Sequence, residues 1–115
     1  MKTHQNTIHR GSVRCIVFRE DSVWYAVGLE LNIVESGDTP REAFMLLTEA
    51  IQGYVESARK IKARPSILNQ KTDSEYETMW LRAQESKLGQ KPKEDIFFAG
   101  RLNISQAMGR SLIAA

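Results

Sequence analysis

The sequence has little that would tie a small fold together through covalent or metal bonds. Its 115 residues hold one cysteine, Cys15, and two histidines, His4 and His9. One thiol excludes an intrachain disulfide framework, and three such side chains fall short of the four spaced ligands of structural zinc. No stretch approaches the ~20 apolar residues of a membrane span, and the polar start leads into no secretory-type apolar segment. The expectation is a cytoplasmic protein with no membrane among its partners. An excess of one charge is missing as well. Sixteen basic residues face fourteen acidic ones, a net of +2, which excludes a histone-like polycation. Internal repeats, glycine-rich phosphate loops, zinc-protease motifs and nucleophile elbows are absent. What is there is ordinary: 42% hydrophobic and 26% charged residues. That composition and length predict one domain, which buries roughly two thirds of its unfolded surface.

Residues 1–11 are polar and read as a flexible arm. Residues 13–18 form a β-branched, apolar run of strand length. Arg19-Glu20-Asp21-Ser22 supplies a turn. Residues 23–31 then alternate, which puts Val23, Tyr25, Val27, Leu29 and Leu31 on one face, with Gly28 marking a bulge or bend. Residues 33–36 make a short third strand, and the brief connections predict an antiparallel meander. Thr39-Pro40-Arg41-Glu42 combines an N-cap, a proline at the first helical position and a glutamate that reaches back. Beyond it Ala43, Phe44, Leu47, Ala50, Ile51, Tyr54, Val55 and Ala58 recur at helical spacing. This predicts an amphipathic helix of about 20 residues, packed on the sheet and stopped by Pro65. Thr72-Asp73-Ser74-Glu75 reads as a second capping box, opening a helix that carries Tyr76, Met79, Trp80 and Ala83 and closes at Gly89. After a charged linker, residues 96–104 read as a fourth strand with Ile96, Phe98, Leu102 and Ile104 at even spacing. The fold class is α+β: a β-β-β-α core over residues 12–64, then a helix-plus-strand extension over 65–115.

Chemistry-bearing residues are sparse. Glu30 and Glu35 are expected on strands, and with Glu20, Asp21 and Asp38 are the acids that a Mg²⁺-dependent nuclease site would draw on. Solvated strand edges and caps account for them as well. His4 and His9 fall in the arm, and Cys15 reads as a core thiol. No catalytic residue, metal ligand or cofactor site is assigned. Arg59, Lys60, Lys62 and Arg64 form a basic run that either contacts phosphates or offsets the helix dipole. Residues 99–107 have the look of a helix-turn-helix turn, with residues 105–113 as recognition helix, and Arg101 and Arg110 lie in an acid-free tail. Gly109 and the nearby chain end favour a sheet-edge strand instead. Tyr76, Trp80, Phe97 and Phe98 lie outside the compact core unit, and either pack the second helix on the sheet or form a partner surface.

Leu29-x-Leu31, Val34, Gly37-Asp38-Thr39, Glu42-Ala43 and Glu49-Ala50-Ile51, then Tyr54, resemble the N-terminal domain of HicB-like antitoxins without gaps over about residues 13–58. At one loop Leu31-Asn32-Ile33 stands where that family has proline-glycine-cysteine. The resemblance implies a small domain likened to a degraded ribonuclease H fold. It also implies a non-enzymatic protein that occludes a small, basic, HicA-type toxin cleaving messenger RNA, and assembly as a homo-oligomer. Many members of the family carry a C-terminal module that binds operator DNA. A DNA-binding autorepressor acting through residues 96–115 is therefore the alternative expectation. An orphan binding domain without a toxin and a vestigial nuclease are further ones.

Overall fold

The computed structural model describes residues 6–87 and 95–104. Its centre is a four-stranded antiparallel sheet in the order β3-β2-β1-β4, built from β1 (Ser12–Glu20), β2 (Val23–Gly28), β3 (Ile33–Gly37) and β4 (Asp95–Asn103). The tight β1–β2 turn holds Asp21 and Ser22 at positive φ, a conformation that short-chain polar residues tolerate. The meander expected of the first three strands is present, and the chain is α+β.

Two helices lie on opposite faces of this sheet. α1 (Pro40–Lys60) buries Ala43, Leu47, Ile51, Val55 and Ala58 against Val13, Cys15, Val17 and Ala26. The alternation of strand side chains then sends Ile16, Phe18 and Val27 to the other face. There they meet Met79 and Trp80 of α2 (Ser74–Lys87). The first cap forms as the sequence predicts. The Thr39 hydroxyl accepts from Glu42 N–H at 3.0 Å, and Glu42 Oε1 accepts from Asp38 N–H at 2.7 Å.

Several local expectations are corrected. β2 stops at Gly28, and Leu29–Leu31 form a 3-10 turn closed by Asn32 in the left-handed region. That turn breaks the alternation: Leu29 packs on the α2 side and Leu31 on the α1 side. Gly28 makes no bulge but stands at the bend where β2 gives way to the 3-10 turn. A Cβ there would sit 3.3 Å from Ile51 Cδ1 and 3.4 Å from Val13 Cγ1, so its bareness lets α1 approach. α1 ends at Lys60, five residues before Pro65. The second helix is opened by Asp73, whose carbonyl accepts from Tyr76 and Glu77 N–H. The Thr72 hydroxyl is buried without a hydrogen-bond partner. Gly89 and most of the linker lie outside the described residues. In β4 an irregularity opposite Val17 and Phe18 moves Ile96 to the α2 side, away from Phe98 and Leu102.

The described part of the N-terminal segment is anchored. Asn6 is buried, receives Ser12 N–H at 2.8 Å, donates to Leu68 O at 3.0 Å and exchanges bonds with Asn69. His4 lies outside the described residues.

Candidate functional site

The site begins with the irregularity in β4. An extra residue in one strand lets neighbouring side chains leave on the same side of a sheet. Here Phe97 and Phe98 both reach the α1 side. Phe97 meets Trp24 edge-on at 5.9 Å between centroids, and Phe98 meets Phe44 of α1 edge-on at 5.2 Å. Gly100 makes the second contact possible. A Cβ there would lie 2.6 Å from Phe98 Cζ, because the ring leans across the glycine.

α1 lies over β3, β2 and β1, and a helix about 10 Å wide does not also reach across an outer fourth strand. An apolar groove of about 340 Å³ therefore stays open between them, walled by Pro40, Arg41 and Phe44 on α1 and by Phe97 and Phe98 on β4, with Val17 among its lining. Phe97 is 63% exposed and Phe98 37%. Arg19 stands 5.5 Å over the Trp24 ring, extending the aromatic surface with a cation. The outer edge of β4 has no strand partner among the described residues. Aromatic side chains in a concave, water-excluding setting are what interface centres are made of.

The four sequence-chosen aromatics are divided by the sheet. Tyr76 and Trp80 project from α2 onto the opposite face. Tyr76 stands 6.1 Å from Phe18, and Trp80 is buried. Arg14 and Arg101, cross-strand neighbours, place their guanidinium groups 5.7 and 5.4 Å from the Trp80 ring. Arg14 also bonds Glu30 Oε2 at 2.6 Å and both carboxylate oxygens of Glu77. A second groove, about 380 Å³, lies between the end of β1 and α2, lined by Phe18, Arg19, Glu20, Glu75, Thr78, Met79 and Arg82.

The remaining candidates are dispersed. Arg59, Lys60, Lys62 and Arg64 lie together and exposed at the C-terminal end of α1. Arg101 is on the opposite face of the sheet, and Arg110 lies outside the described residues. Residues 99–103 of the suggested helix-turn-helix lie within β4, and its recognition helix falls outside the described residues. Glu30 sits on the 3-10 turn rather than a strand, with Oε1 accepting from Arg14 N–H at 2.8 Å. Among the described residues no group of three His, Cys, Asp or Glu is arranged to hold a metal. Cys15 is buried, and burial first, then the charge of Glu30, pushes its thiol up to about 12.

Sequence reasoning missed Trp24, Pro40, Arg41 and Phe44 as site residues. Trp24 had a signal: it falls between Val23 and Tyr25, on the opposite parity of β2 from the stripe chosen there. No protein-family model, no curated protein and no solved structure matches the chain.

Proposed function

We propose that this chain is a non-catalytic protein-binding module of the HicB-like antitoxin type, which neutralises an mRNA-cleaving toxin by covering its active surface. The observation that carries the reading is the aromatic groove of Phe97, Phe98 and Phe44, with Trp24 against Phe97, beside an edge of β4 that has no strand partner among the described residues. A partner segment adding to β4 would gain main-chain hydrogen bonds from the edge and a pocket for an apolar anchor. The resemblance over residues 13–58 supplies the partner class, and the α+β fold is compatible with it. Glu30 speaks against the nuclease reading, since both its oxygens are engaged by Arg14.

The test is co-expression with a HicA-type toxin encoded beside the gene. The expected result is a co-purifying complex that suppresses mRNA cleavage, with Phe97→Ser and Phe98→Ser each weakening it by a factor of ten or more (about 1.4 kcal/mol). A complex indifferent to both substitutions would remove the groove from the function. Absence of any complex would remove the antitoxin reading.

A further inference from the structure

The C-terminal end of α1 carries a cluster that the aromatic groove leaves unused. Ile61 is 72% exposed, the most exposed large hydrophobic side chain among the described residues. Arg59, Lys60, Lys62 and Arg64 flank it, all exposed. Among the described residues the one carboxylate paired with any of them is Glu56, 3.4 Å from Arg59.

The backbone here is unusual for its residue type. Ala63 N–H donates to Ala58 O at 2.9 Å and Lys62 N–H to Arg59 O at 3.1 Å, the two bonds of a Schellman motif. That motif holds Lys62 at φ 54°, in the left-handed region. Glycine enters this region freely, whereas a side chain meets steric resistance. Lysine thus stands in a glycine's place and weakens the cap. Compensation of the helix dipole explains Arg59 and Lys60 in the last turn. It does not explain a lysine under strain, Arg64 beyond the helix, or an isoleucine left in water.

We propose that this end of α1 is a docking tip for an anionic lipid surface. Ile61 enters the headgroup region, while Arg59, Lys60, Lys62 and Arg64 meet the lipids' negative charge. Basic residues beside an apolar tip suit such a surface, where each cation adds attraction and each buried methylene adds to it. A nucleic-acid backbone would take the cations but offers no apolar layer for Ile61. Residues 59–64 also hold no aromatic ring to stack on a base and no side-chain amide to read one. The contact is peripheral, since no helix among the described residues is long and apolar enough to cross a membrane. It departs from the expectation of no membrane partner because composition does not reveal the exposure of Ile61. The tip and the groove lie at opposite ends of a 21-residue helix, about 30 Å apart, so the two sites can be tested separately.

The test is co-sedimentation of the full chain with vesicles of phosphatidylcholine alone or mixed with phosphatidylglycerol, at low and high salt. Fluorescence anisotropy with duplex DNA and single-stranded RNA runs alongside. The expected result is sedimentation with the anionic vesicles only, lost at high salt and in the Lys60→Glu/Lys62→Glu double variant. Ile61→Ser should weaken vesicle binding about tenfold and leave any nucleic-acid affinity unchanged. Lys62→Gly should raise Tm yet weaken vesicle binding. All of these positions are exposed, so the variants are expected to fold, and circular dichroism checks that they do. No sedimentation with anionic vesicles overturns the proposal. So does vesicle binding that survives the double variant or ignores Ile61→Ser, and so does nucleic-acid binding without vesicle binding.

Discussion

Arg14 and Glu77 join β1 to α2 through parallel hydrogen bonds, Nη1 to Oε1 at 2.9 Å and Nη2 to Oε2 at 2.8 Å. The fork-to-fork geometry fixes where α2 sits and lays the Arg14 guanidinium beside Trp80. The Arg14 hydrogen bond holds Glu77 below its ordinary carboxylate value, against burial that pushes the other way. A carboxylate depressed by folding contributes stability above its ordinary value and loses it as pH falls through the lowered one. Glu77 is 42% exposed, so solvent screens the pair. Glu77→Gln should cost about 0.5–1 kcal/mol at neutral pH. Arg14→Met should cost about 2 kcal/mol, because the half-buried Glu30 carboxylate also loses its partner. Urea unfolding at several pH values checks both, and the gap between the parent chain and Glu77→Gln should close on acidification.

Cys15 gives a direct measure of opening of the main core. Burial first, and the charge of Glu30 second, raise its thiol to about 12. At pH 8 the folded chain therefore holds a neutral and covered thiol, while the unfolded chain exposes one that titrates near ~8.5. Labelling by iodoacetamide should be negligible in native buffer and should track the unfolding transition in urea. Rapid labelling without denaturant would show that α1 lifts from β1 below the global transition.

The parts of the fold legible in the sequence are those set by local chemistry. Thr39, Pro40 and Glu42 announce the start of α1 because capping needs only residues within one turn. The end of α1 was harder to read, since Lys62 conceals a position where glycine would have signalled it. Parity failed twice, at Leu29–Leu31 and at Phe97. A 3-10 turn and a strand irregularity each shift the chain by one residue; Gly28 stands directly before the first, while the second carries no glycine or proline marker at the shift. Tyr76 and Trp80 could not be told from Phe97 and Phe98. Which face of a sheet a helix covers depends on contacts far apart in sequence, such as Arg14 with Glu77. Phe97 and Phe98 were legible as candidates, and the groove they form with Phe44 was not. The anchoring of Asn6 was not legible, because Leu68 and Asn69, which hold it, lie some sixty residues away.

Thr39 links the stability of α1 to the shape of the groove. Its hydroxyl satisfies Glu42 N–H, and Pro40, Arg41 and Phe44 follow within two turns. Thr39→Ala should cost about 1 kcal/mol in chemical unfolding. It should also weaken partner binding, since fraying of the first turn loosens one wall. Thr39→Asp, which keeps a capping oxygen, should restore both. Recovery of stability without binding would separate the cap from the groove.

Gly100 offers the sharpest separation of folding from binding. A methyl group there would lie 2.6 Å from Phe98 Cζ and 3.2 Å from Cε1. The obstacle is the far end of a partly exposed ring, not backbone, so Phe98 can swing outward at modest cost. Gly100→Ala is therefore expected to change stability by about 1 kcal/mol or less. The displaced ring would lose its edge contact with Phe44 and disrupt the groove, so partner affinity should fall about tenfold or more. In a Phe98→Ala background the clash is gone, and adding Gly100→Ala should then cost little further affinity. A double-mutant cycle on the complex measures that coupling. Equal losses in both backgrounds would mean that Gly100 acts on the strand itself rather than through the Phe98 ring.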